Sequence, residues 1–345
     1  MALAGKLELA CGQANRLMPE MMPLRNLGST GLIVSRLGLG LAALGRPAYI
    51  NLGRRNDYSE DRTVATLERR CHEMLDAAYA AGIRYVDAAR SYGLAEAFLG
   101  GWFQSRGVGD DAVVAGSKWG YTYVGAWDTY AAVHEKKDLS VTTLRRQFGE
   151  SRELLGDRLR LYQIHSATLD SGVLEDAAVL DELRRLRSTG VAVGLSVTGP
   201  SQADTIRRAI EVRGDGVLLF QVVQATWNLL EPSATVGLEE AHAEGLGVIV
   251  KEGVANGRLT DRNTETRIAP VRDYAASQGV TTDAVALGAA LACPWADIVL
   301  SGAVTRDQLA SNLRASACTT SLDRLPDIAE TAAAYWAHRR TLEWT

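Results

Sequence analysis

The chain has 345 residues, of which 47% are hydrophobic and 23% are charged, with only 8 prolines. This composition excludes a disordered or collagen-like protein. The 37 Lys and Arg residues against 41 Asp and Glu give a formal net charge of −4, so there is no basic excess typical of a nucleic-acid-binding protein. No apolar run approaches the length of about 18 residues that a transmembrane helix needs, so no membrane partner is expected.

The four cysteines, Cys11, Cys71, Cys293 and Cys318, lie far apart and form no Cys-x-x-Cys pair. Such spacing favours neither a disulfide framework nor a thiolate zinc site, and it is typical of a reducing compartment. We therefore expect a cytoplasmic protein. Residues 1–23 contain no long hydrophobic run of the kind found in signal peptides and are interpreted as an N-terminal tail.

From Leu24 onward, short β-like runs alternate with helical stretches. The first segment predicts a small β-hairpin around Gly28–Gly31, followed by a buried strand near Arg36–Gly40. A terminal helix is predicted around Ile328–Arg340. Seven further strand-like runs lie between them: IRYVDAA, AVVAGSK, RLRLYQIH, VAVGLSV, VLLFQVVQAT, GVIVKEG and IVLSGAV.

Eight strand–helix units with nearly continuous apolar strands predict a parallel sheet covered by helices, and eight strands can close a barrel. Periodicity does not show closure, so a doubly wound sheet is the alternative. No linker composition divides the chain, and residues 24–345 are interpreted as one domain. Two long segments, Leu41–Asp61 and Val254–Arg267, would lie on the face where barrel enzymes bind ligands.

Two familiar motifs are present only in weak form. Gly38–Ala43 (GLGLAA) matches a loose dinucleotide fingerprint, but no helical pattern opens there, so a glycine-tolerant strand end is the better interpretation. His72 and His134 each begin a His-Glu-x-x run that lacks the second histidine of a zinc helix, so no metal site is predicted.

Four polar residues are more informative because of where they fall. Asp87, Lys118 and His165 end three successive predicted strands, and Tyr92 follows Asp87 by five residues. In a barrel, the carboxyl ends of the strands meet on one face, where catalytic groups gather. Each residue alone has an ordinary explanation as a cap, a solvated lysine, a core histidine or a rim aromatic. Together they predict an active site.

The chemistry of these four groups suits the delivery of a proton to a carbonyl oxygen. A phenol has a pKa of about 10 when unperturbed. A nearby ammonium group would lower that pKa, and a carboxylate would hold the ammonium charged and in place. A histidine on the same oxygen would orient the carbonyl and stabilise developing negative charge. None of the four is an obvious covalent nucleophile, so proton transfer coupled to hydride transfer is favoured over hydrolysis.

At these residues the sequence resembles the aldo-keto reductase superfamily, over nearly its whole length. RYVDAARSYGLAEAFLG is similar to the family signature D-x-A-x-x-Y-G-x-A-E, and SKWG and LYQIH are similar to its lysine and histidine segments. The resemblance implies a (β/α)8 TIM barrel with an N-terminal β-hairpin and a C-terminal helix, which binds NAD(P)H across its C-terminal face. It also implies a catalytic tetrad of Asp87, Tyr92, Lys118 and His165, with Tyr92 as general acid.

The resemblance implies further contacts to the nicotinamide end of the cofactor. GLSVTG corresponds to a segment with a carboxamide-binding serine, here Ser196, although Val197 stands where a second amide-binding residue is usual. VQATWNLLEP places the carboxamide glutamine at Gln224. In VIVKEGVANGRLT, Lys251 replaces the tyrosine that stacks on nicotinamide, and Glu252 replaces a neighbouring serine.

Contacts to the rest of the cofactor follow in the same way. Val254 and Asn256 would flank the pyrophosphate, which Lys251 could also reach. Val304 stands where a basic residue often meets the 2′-phosphate, and Arg306 either takes that role or is simply a solvated arginine. The segment LSGAVTRDQLASN is similar to the adenosine clamp at Gly302, Thr305, Gln308 and Asn312.

The sequence therefore predicts a reversible NAD(P)H-dependent reductase of aldehydes or ketones, with NADPH as cofactor and NADH possible. One alternative is an NAD-dependent aldose or alcohol dehydrogenase, and another is a regulatory barrel that binds cofactor without turnover. Trp119 is predicted to line the substrate pocket, or else the aromatic stretch that it begins packs the loop. The physiological substrate, the direction of the reaction and the oligomeric state do not follow from the sequence.

Overall fold

A computed structural model of the chain describes residues 22–52, 57, 61–214, 216–318 and 322–345. Of the predicted tail 1–23, only Met22 and Pro23 fall within these residues.

The strands are β1 (Leu24–Asn26), β2 (Ile33–Ser35), β3 (Leu37–Gly40), β4 (Tyr85–Asp87), β5 (Val114–Trp119), β6 (Tyr121–Tyr123), β7 (Glu135–Lys137), β8 (Leu159–Ala167), β9 (Ala192–Val197), β10 (Arg213–Gly214), β11 (Val217–Leu218), β12 (Val222–Thr226), β13 (Gly247–Lys251) and β14 (Ile298–Ser301). The helices are α1 (Val64–Ala80), α2 (Ala95–Arg106), α3 (Val141–Leu155), α4 (Ala177–Ser188), α5 (Gln202–Glu211), α6 (Thr235–Ala243), α7 (Ala269–Ser277), α8 (Thr282–Ala292), α9 (Arg306–Leu313) and α10 (Ala332–Thr341).

Eight of the strands close into a parallel barrel in the order β3, β4, β5, β8, β9, β12, β13 and β14. The ring closes where Val299 of β14 pairs with Leu37 of β3. Helices follow the barrel strands along the chain and cover their apolar outer faces. The predicted (β/α)8 barrel is confirmed, and the open, doubly wound alternative is wrong.

The predicted hairpin, β1–β2, closes the amino-terminal end of the barrel. Leu27 at its turn is fully buried in the same apolar cluster as Val114 and Val222, the first residues of two barrel strands. Gly28 has a φ of +49°, and a Cβ at this position would meet the backbone nitrogen of Gly247 at 2.2 Å. Glycine therefore permits both the turn and its close approach to the barrel.

Helix α4 shows how an apolar face and a capping side chain define a helix. In α4, Val179, Leu183 and Leu186 are buried, and their spacing of three to four residues puts them on one face. The side chain of Asp176 accepts a hydrogen bond from the backbone N–H of Val179 and so caps the helix. Such a cap contributes about 1 kcal/mol to stability.

Some elements differ from the sequence prediction. Helix α1 begins at Val64 rather than near His72, because Thr63 caps it by accepting from the backbone N–H of Thr66. Helix α10 likewise begins only after its cap Thr331. Helix α7 and the hairpin β6–β7 have no predicted counterpart, since both lie in irregular, charged or turn-rich sequence.

The two long segments predicted to face the ligand, as far as the structure describes them, lie at the carboxyl-terminal end of the barrel; residues 53–56 and 58–60 are outside the described residues. They meet where the backbone N–H of Leu52 donates to the carbonyl of Asn256 over 2.8 Å. Both contribute residues to one cavity, among them Arg46 and Tyr49 from the first and Val254 from the second. Within the described residues, no helix has the length and apolarity needed to cross a bilayer.

Candidate active site

The ends of the barrel strands bring the four predicted catalytic residues together. Asp87 ends β4, Lys118 lies near the end of β5, His165 lies in β8, and Tyr92 lies in the loop after β4. The ammonium group of Lys118 forms a buried ion pair with the Asp87 carboxylate and donates to the carbonyl of Ala88 over 2.9 Å. It also lies 3.4 Å from the Tyr92 hydroxyl oxygen.

Asp87 is held by more than Lys118. Its Oδ1 accepts hydrogen bonds from the Gln224 amide at 2.9 Å and from the Tyr85 hydroxyl at 3.3 Å. The carboxylate is buried, as is Lys118. The hydrogen bonds from Gln224 and Tyr85 fix the Asp87 carboxylate, and the ion pair with this carboxylate in turn fixes the Lys118 ammonium group.

His165 packs beside Tyr92, with ring centroids 5.5 Å apart and ring planes at 83°. Its Nδ1 lies 3.4 Å from the hydroxyl oxygen of Ser91. Burial, and then the positive charges of Lys118 and Lys251, lower the pKa of His165 well below its ordinary value of 6.5. At neutral pH the imidazole is uncharged, so one ring nitrogen donates while the other accepts.

The electrostatics of Tyr92 differ from the sequence prediction. Burial raises the pKa of Tyr92 well above 10, and the Asp87 carboxylate raises it further, against the opposing effect of Arg46. The predicted lowering by Lys118 fails because that ammonium is already paired with Asp87 and the phenol is removed from water. The resting hydroxyl is therefore protonated, which is the state of a proton donor.

A cavity of about 280 Å³ opens above these residues. Asp87, Tyr92 and His165 line its floor. A sheltered cavity that combines one proton donor with several charged walls suits a small polar ligand. The other charged residues in its lining are Arg46, Glu135, Lys251, Glu252 and Arg339.

The C-terminal segment, residues 342–345 after α10, closes one side of this cavity through Trp344. Trp344 stacks on His134, with ring centroids 4.4 Å apart and planes at 13°. The Arg46 guanidinium carbon lies 4.6 Å from the centroid of the Trp344 ring and 5.2 Å from that of Tyr92. Backbone hydrogen bonds join the segment to the loop after β3. No motif in the sequence singled out Arg46 or Trp344, because both act from loops far apart in the chain.

Lys251, at the end of β13, also lines the cavity. Its ammonium group donates to the Thr226 hydroxyl over 2.7 Å and lies 3.9 Å from the Glu252 carboxylate. Burial lowers the pKa of Lys251 to about 8, although Glu252 opposes this effect. Lys251 therefore lies in the cavity as an ammonium group that is easier to deprotonate than an ordinary lysine.

Glu252 has a φ of +56°, a strained conformation for a residue other than glycine. Arg339 of α10 holds it through both carboxylate oxygens, at 3.0 and 2.9 Å from its Nε. Burial would raise the pKa of Glu252, but Arg339 and Lys251 outweigh this and hold the pKa at about 2. The ion pair ties the C-terminal helix to the end of a barrel strand.

The ion pair between Glu252 and Arg339 leads to a prediction about stability in acid. Because the pKa of Glu252 falls on folding, its contribution is present above about pH 4 and is lost as the pH falls towards 2. The difference amounts to about 3 kcal/mol at 1.36 kcal/mol per pKa unit. Arg339→Met should therefore lower the free energy of unfolding in urea at neutral pH, and this deficit should shrink as the pH falls through that range. A deficit that does not change with pH would contradict the assignment.

The cavity continues as a groove towards α9. A second cavity beside that helix shares Asn51, Val254 and Gly302 with the first. The Asn256 amide nitrogen donates to the carbonyl of Ile50 over 3.0 Å, which fixes its orientation. Its buried Oδ1, like that of Asn51, has no hydrogen-bond partner among the described residues. Buried acceptors normally find donors, so an elongated groove with two such oxygens fits the ribose hydroxyls of an extended dinucleotide.

The predicted adenosine clamp lies at the far end of this groove. Thr305 caps α9 by accepting from the backbone N–H of Gln308, and the Gln308 Oε1 accepts from that of Val304 over 2.9 Å. The buried Asn312 donates to Asp283 over 2.6 Å. Arg306 is exposed in the first turn of α9, whereas Val304 is buried. Gly302, Gln308 and Asn312 line the second cavity.

Two predicted contacts lie behind the cavity surface. Ser196 is buried, and its hydroxyl oxygen accepts from the backbone N–H of Ser166 over 2.9 Å. Trp119 is fully buried in the hydrophobic core, and it is Tyr121 that lines the cavity. Gly120, with a φ of +107°, turns the chain between the two aromatic residues. Trp119 therefore packs the protein, as the alternative interpretation of this aromatic stretch expected, and does not line the cavity.

Comparisons with known proteins identify the family of this chain. A sequence model of the Aldo/keto reductase family matches residues 36–332. A D-threo-aldose 1-dehydrogenase from a Pseudomonas species is 29% identical over 255 residues, which are 69% of this chain and 71% of the relative.

Solved structures show the same fold. A proposed aldo-keto reductase from Pseudomonas aeruginosa is 25% identical, with a TM-score of 0.61 over 85% of this chain and 94% of its own. An aldo-keto reductase from Bacillus halodurans, solved in its holo form, has 22% identity and a TM-score of 0.67, covering 93% of this chain and 96% of its own. The family match spans most of the chain and includes all four residues of the predicted tetrad, so the protein belongs to the aldo/keto reductase family, whose members are oxidoreductases.

Proposed function

We propose that this protein reduces an aldehyde or ketone to an alcohol with NAD(P)H, with Tyr92 as the general acid. The observation that carries the proposal is the Tyr92 hydroxyl, protonated, 3.4 Å from the Lys118 ammonium and beside an uncharged His165. Tyr92 and His165 line a cavity that shares lining residues with a second cavity beside α9.

Each residue of the tetrad has a distinct part in the proposed reaction. When bound, the cofactor supplies hydride to the carbonyl carbon. Tyr92 gives its proton to the carbonyl oxygen, and His165 donates a hydrogen bond to that oxygen and orients it. Lys118 stabilises the phenolate that remains, and Asp87 keeps the lysine charged and aimed at Tyr92.

Several residues are suited to hold the cofactor. Asn51 and Asn256 offer free acceptor oxygens to its hydroxyl groups. Lys251 and Val254 line the passage between the tetrad and the groove, and Gly302, Gln308 and Asn312 line its far end. We assign the carboxamide to Gln224, which also lines the cavity, while the buried Ser196 supports the backbone after His165.

An NAD-dependent aldose dehydrogenase is the second candidate. The relative named D-threo-aldose 1-dehydrogenase favours it, as does the buried Val304 in place of a basic residue. A panel of aldehydes, ketones and sugars, assayed in both directions with NADPH and NADH, separates the two. Reduction of aldehydes that is faster than oxidation of sugars supports the reductase. The absence of turnover with the whole panel would contradict both candidates and favour a regulatory barrel.

For the cofactor we propose NADPH, bound at least as tightly as NADH. Arg306 is exposed in the first turn of α9, where its guanidinium can pair with the 2′-phosphate. Arg306→Ala should weaken NADPH binding roughly tenfold and leave NADH little changed, since a charge-assisted hydrogen bond contributes about 1.5–3 kcal/mol. Quenching of tryptophan emission by each cofactor gives both dissociation constants.

The neighbouring Asp307 provides a control of opposite sign. It lines the second cavity and carries a negative charge, so Asp307→Asn should strengthen NADPH binding if the 2′-phosphate lies there. The cofactor assignment is wrong if Arg306→Ala weakens both cofactors equally, or if the parent protein binds NADH about tenfold more tightly than NADPH.

A further inference from the structure

We infer that the ammonium group of Lys251 makes this site bind the reduced nicotinamide cofactor more tightly than the oxidised one. The inference rests on the proposed function and adds a preferred direction to it. The oxidised nicotinamide ring carries a positive charge that the reduced ring lacks. A fixed positive charge beside the ring therefore opposes the oxidised form alone.

The geometry places Lys251 close to any ring that reacts in this cavity. Tyr92, His165 and Lys251 all line the same cavity of about 280 Å³, and Lys251 is close enough to His165 for its charge to lower the pKa of the imidazole. Hydride transfer requires reacting atoms about 3–3.5 Å apart. A ring that serves a carbonyl held by Tyr92 and His165 must occupy this same small space, and so must lie within several ångströms of Lys251.

The charge of Lys251 is less compensated than the other charges around it. Its nearest carboxylate, Glu252, lies 3.9 Å away and is already bound through both oxygens to Arg339. Asp87 is likewise paired with Lys118. The two carboxylates near Lys251 are therefore both paired with other cations, and its own positive charge is only partly neutralised. Its principal contact is the neutral Thr226 hydroxyl, at 2.7 Å.

The size of the effect follows from Coulomb's law. Two like charges about 6 Å apart in a protein environment with an effective dielectric of about 20 change a binding constant roughly 10- to 100-fold. Removal of the charge should therefore reduce the preference for the reduced form by at least ~10-fold. Most of that change should come from tighter binding of the oxidised cofactor.

The preference should also depend on pH. Burial lowers the pKa of Lys251 to about 8, with Glu252 and Asp87 opposing the decrease and Arg339 and Lys118 adding to it. Above that pH the lysine is neutral and no longer repels the oxidised ring. The oxidised cofactor should therefore bind more tightly as the pH rises from about 7 to 9.5, because its binding is linked to release of the lysine proton.

The histidine and tyrosine side chains that line the cavity do not titrate over this pH range. Burial raises the pKa of Tyr49 and that of Tyr121 above 10. The pKa of His165 lies well below 6.5 and that of Tyr92 well above 10, both because of burial. The imidazole is therefore uncharged and the phenol protonated throughout. A change of preference over this range reports on the lysine.

The test is a set of dissociation constants measured by calorimetry on the full chain. NADP+ and NADPH, and the NAD+ and NADH pair, are titrated into the parent protein, Lys251→Met and Lys251→Arg at about pH 7 and about pH 9.5. We expect the parent to prefer the reduced form at the lower pH and to lose most of that preference at the higher pH. Lys251→Met should have a weak preference at both, whereas Lys251→Arg should keep the preference at both, since arginine stays charged.

Several results would overturn the inference. If Lys251→Met changes the ratio of oxidised to reduced dissociation constants less than about twofold, the inference is wrong and the proposed function stands. Equal weakening of both forms in both variants would mean that the lysine has only a structural role. If Lys251→Met does not fold, the arginine variant decides, and a pH response equal to that of the parent contradicts the inference. If neither cofactor pair binds the parent protein, both the inference and the proposed function fail.

Discussion

Tyr92→Phe is expected to lower kcat for aldehyde reduction by at least ~10²-fold, because general acid catalysis contributes roughly 10²–10⁴-fold. The substitution removes one oxygen atom and keeps the ring, whose contacts with His165 and the Arg46 guanidinium do not involve the hydroxyl. Folding and cofactor binding should therefore change little. Rapid-mixing measurement of cofactor oxidation reports the chemical step without interference from product release.

Cofactor binding provides the control for this variant. Quenching of tryptophan emission by bound NADPH should be the same in Tyr92→Phe as in the parent protein. Tyr121→Phe is a matched substitution, since Tyr121 also lines the cavity and packs on His165, with ring centroids 5.0 Å apart. It should retain most activity. A Tyr92→Phe protein that keeps more than about a third of the parental rate of chemistry would contradict the mechanism.

Lys118→Met should reduce both activity and stability. Without the ammonium group, the phenolate formed at Tyr92 loses the positive charge 3.4 Å from its oxygen, so the fall in kcat should be comparable to that of Tyr92→Phe. The Asp87 carboxylate, buried with its remaining partners Gln224 and Tyr85, would be left without a counter-ion. Loss of one partner of a buried ion pair costs about 3–5 kcal/mol, which is measurable as a lower midpoint of urea unfolding.

Two double variants separate these effects. Lys118→Met combined with Asp87→Asn removes both charges and should recover part of the lost stability without recovering activity. Lys118→Met combined with Tyr92→Phe should be little less active than either single variant, because residues that act as one catalytic unit are not additive. Full additivity of the two losses in kcat would show that Lys118 acts independently of Tyr92.

The strand–helix alternation was readable from the sequence because each barrel strand is buried on both faces. VAVGLSV and the first four residues of GVIVKEG are nearly continuous apolar runs of this kind, and both segments contain barrel strands. Closure was not readable, since it depends on the pairing of Leu37 with Val299, residues that are distant in sequence. The family resemblance, rather than periodicity, gave the barrel.

The tetrad could be predicted because the sequence shows where each strand ends, and three of its four residues lie at or near strand ends. Asp87 and Lys118 have to meet once β4 and β5 are adjacent and parallel. The direction of the Tyr92 pKa could not be predicted, because it depends on how deeply the phenol is buried and on which ion is already paired. Arg46 could not be predicted as part of the site for a related reason. Its position against Tyr92 depends on the path of a long loop and of the C-terminal segment.

The position of Trp119 shows a further limit of sequence reasoning. A tryptophan directly after the strand-end lysine was expected to face the ligand, and it is buried in the core. The backbone turn at Gly120 brings Tyr121 to the cavity in its place. A glycine between two aromatic residues signals a turn, but the sequence does not show which of the two then faces the cavity.

The central claim is that this protein passes hydride from a nicotinamide cofactor to a carbonyl carbon. Its most direct test is isotopic: reduction of an aldehyde with NADPH or NADH deuterated at C4 of the nicotinamide ring, followed by mass spectrometry of the product. We predict an alcohol that carries one deuterium on the former carbonyl carbon, formed far more slowly by Tyr92→Phe. Alcohol without deuterium, or no alcohol from any aldehyde of the panel with either cofactor, would contradict the claim.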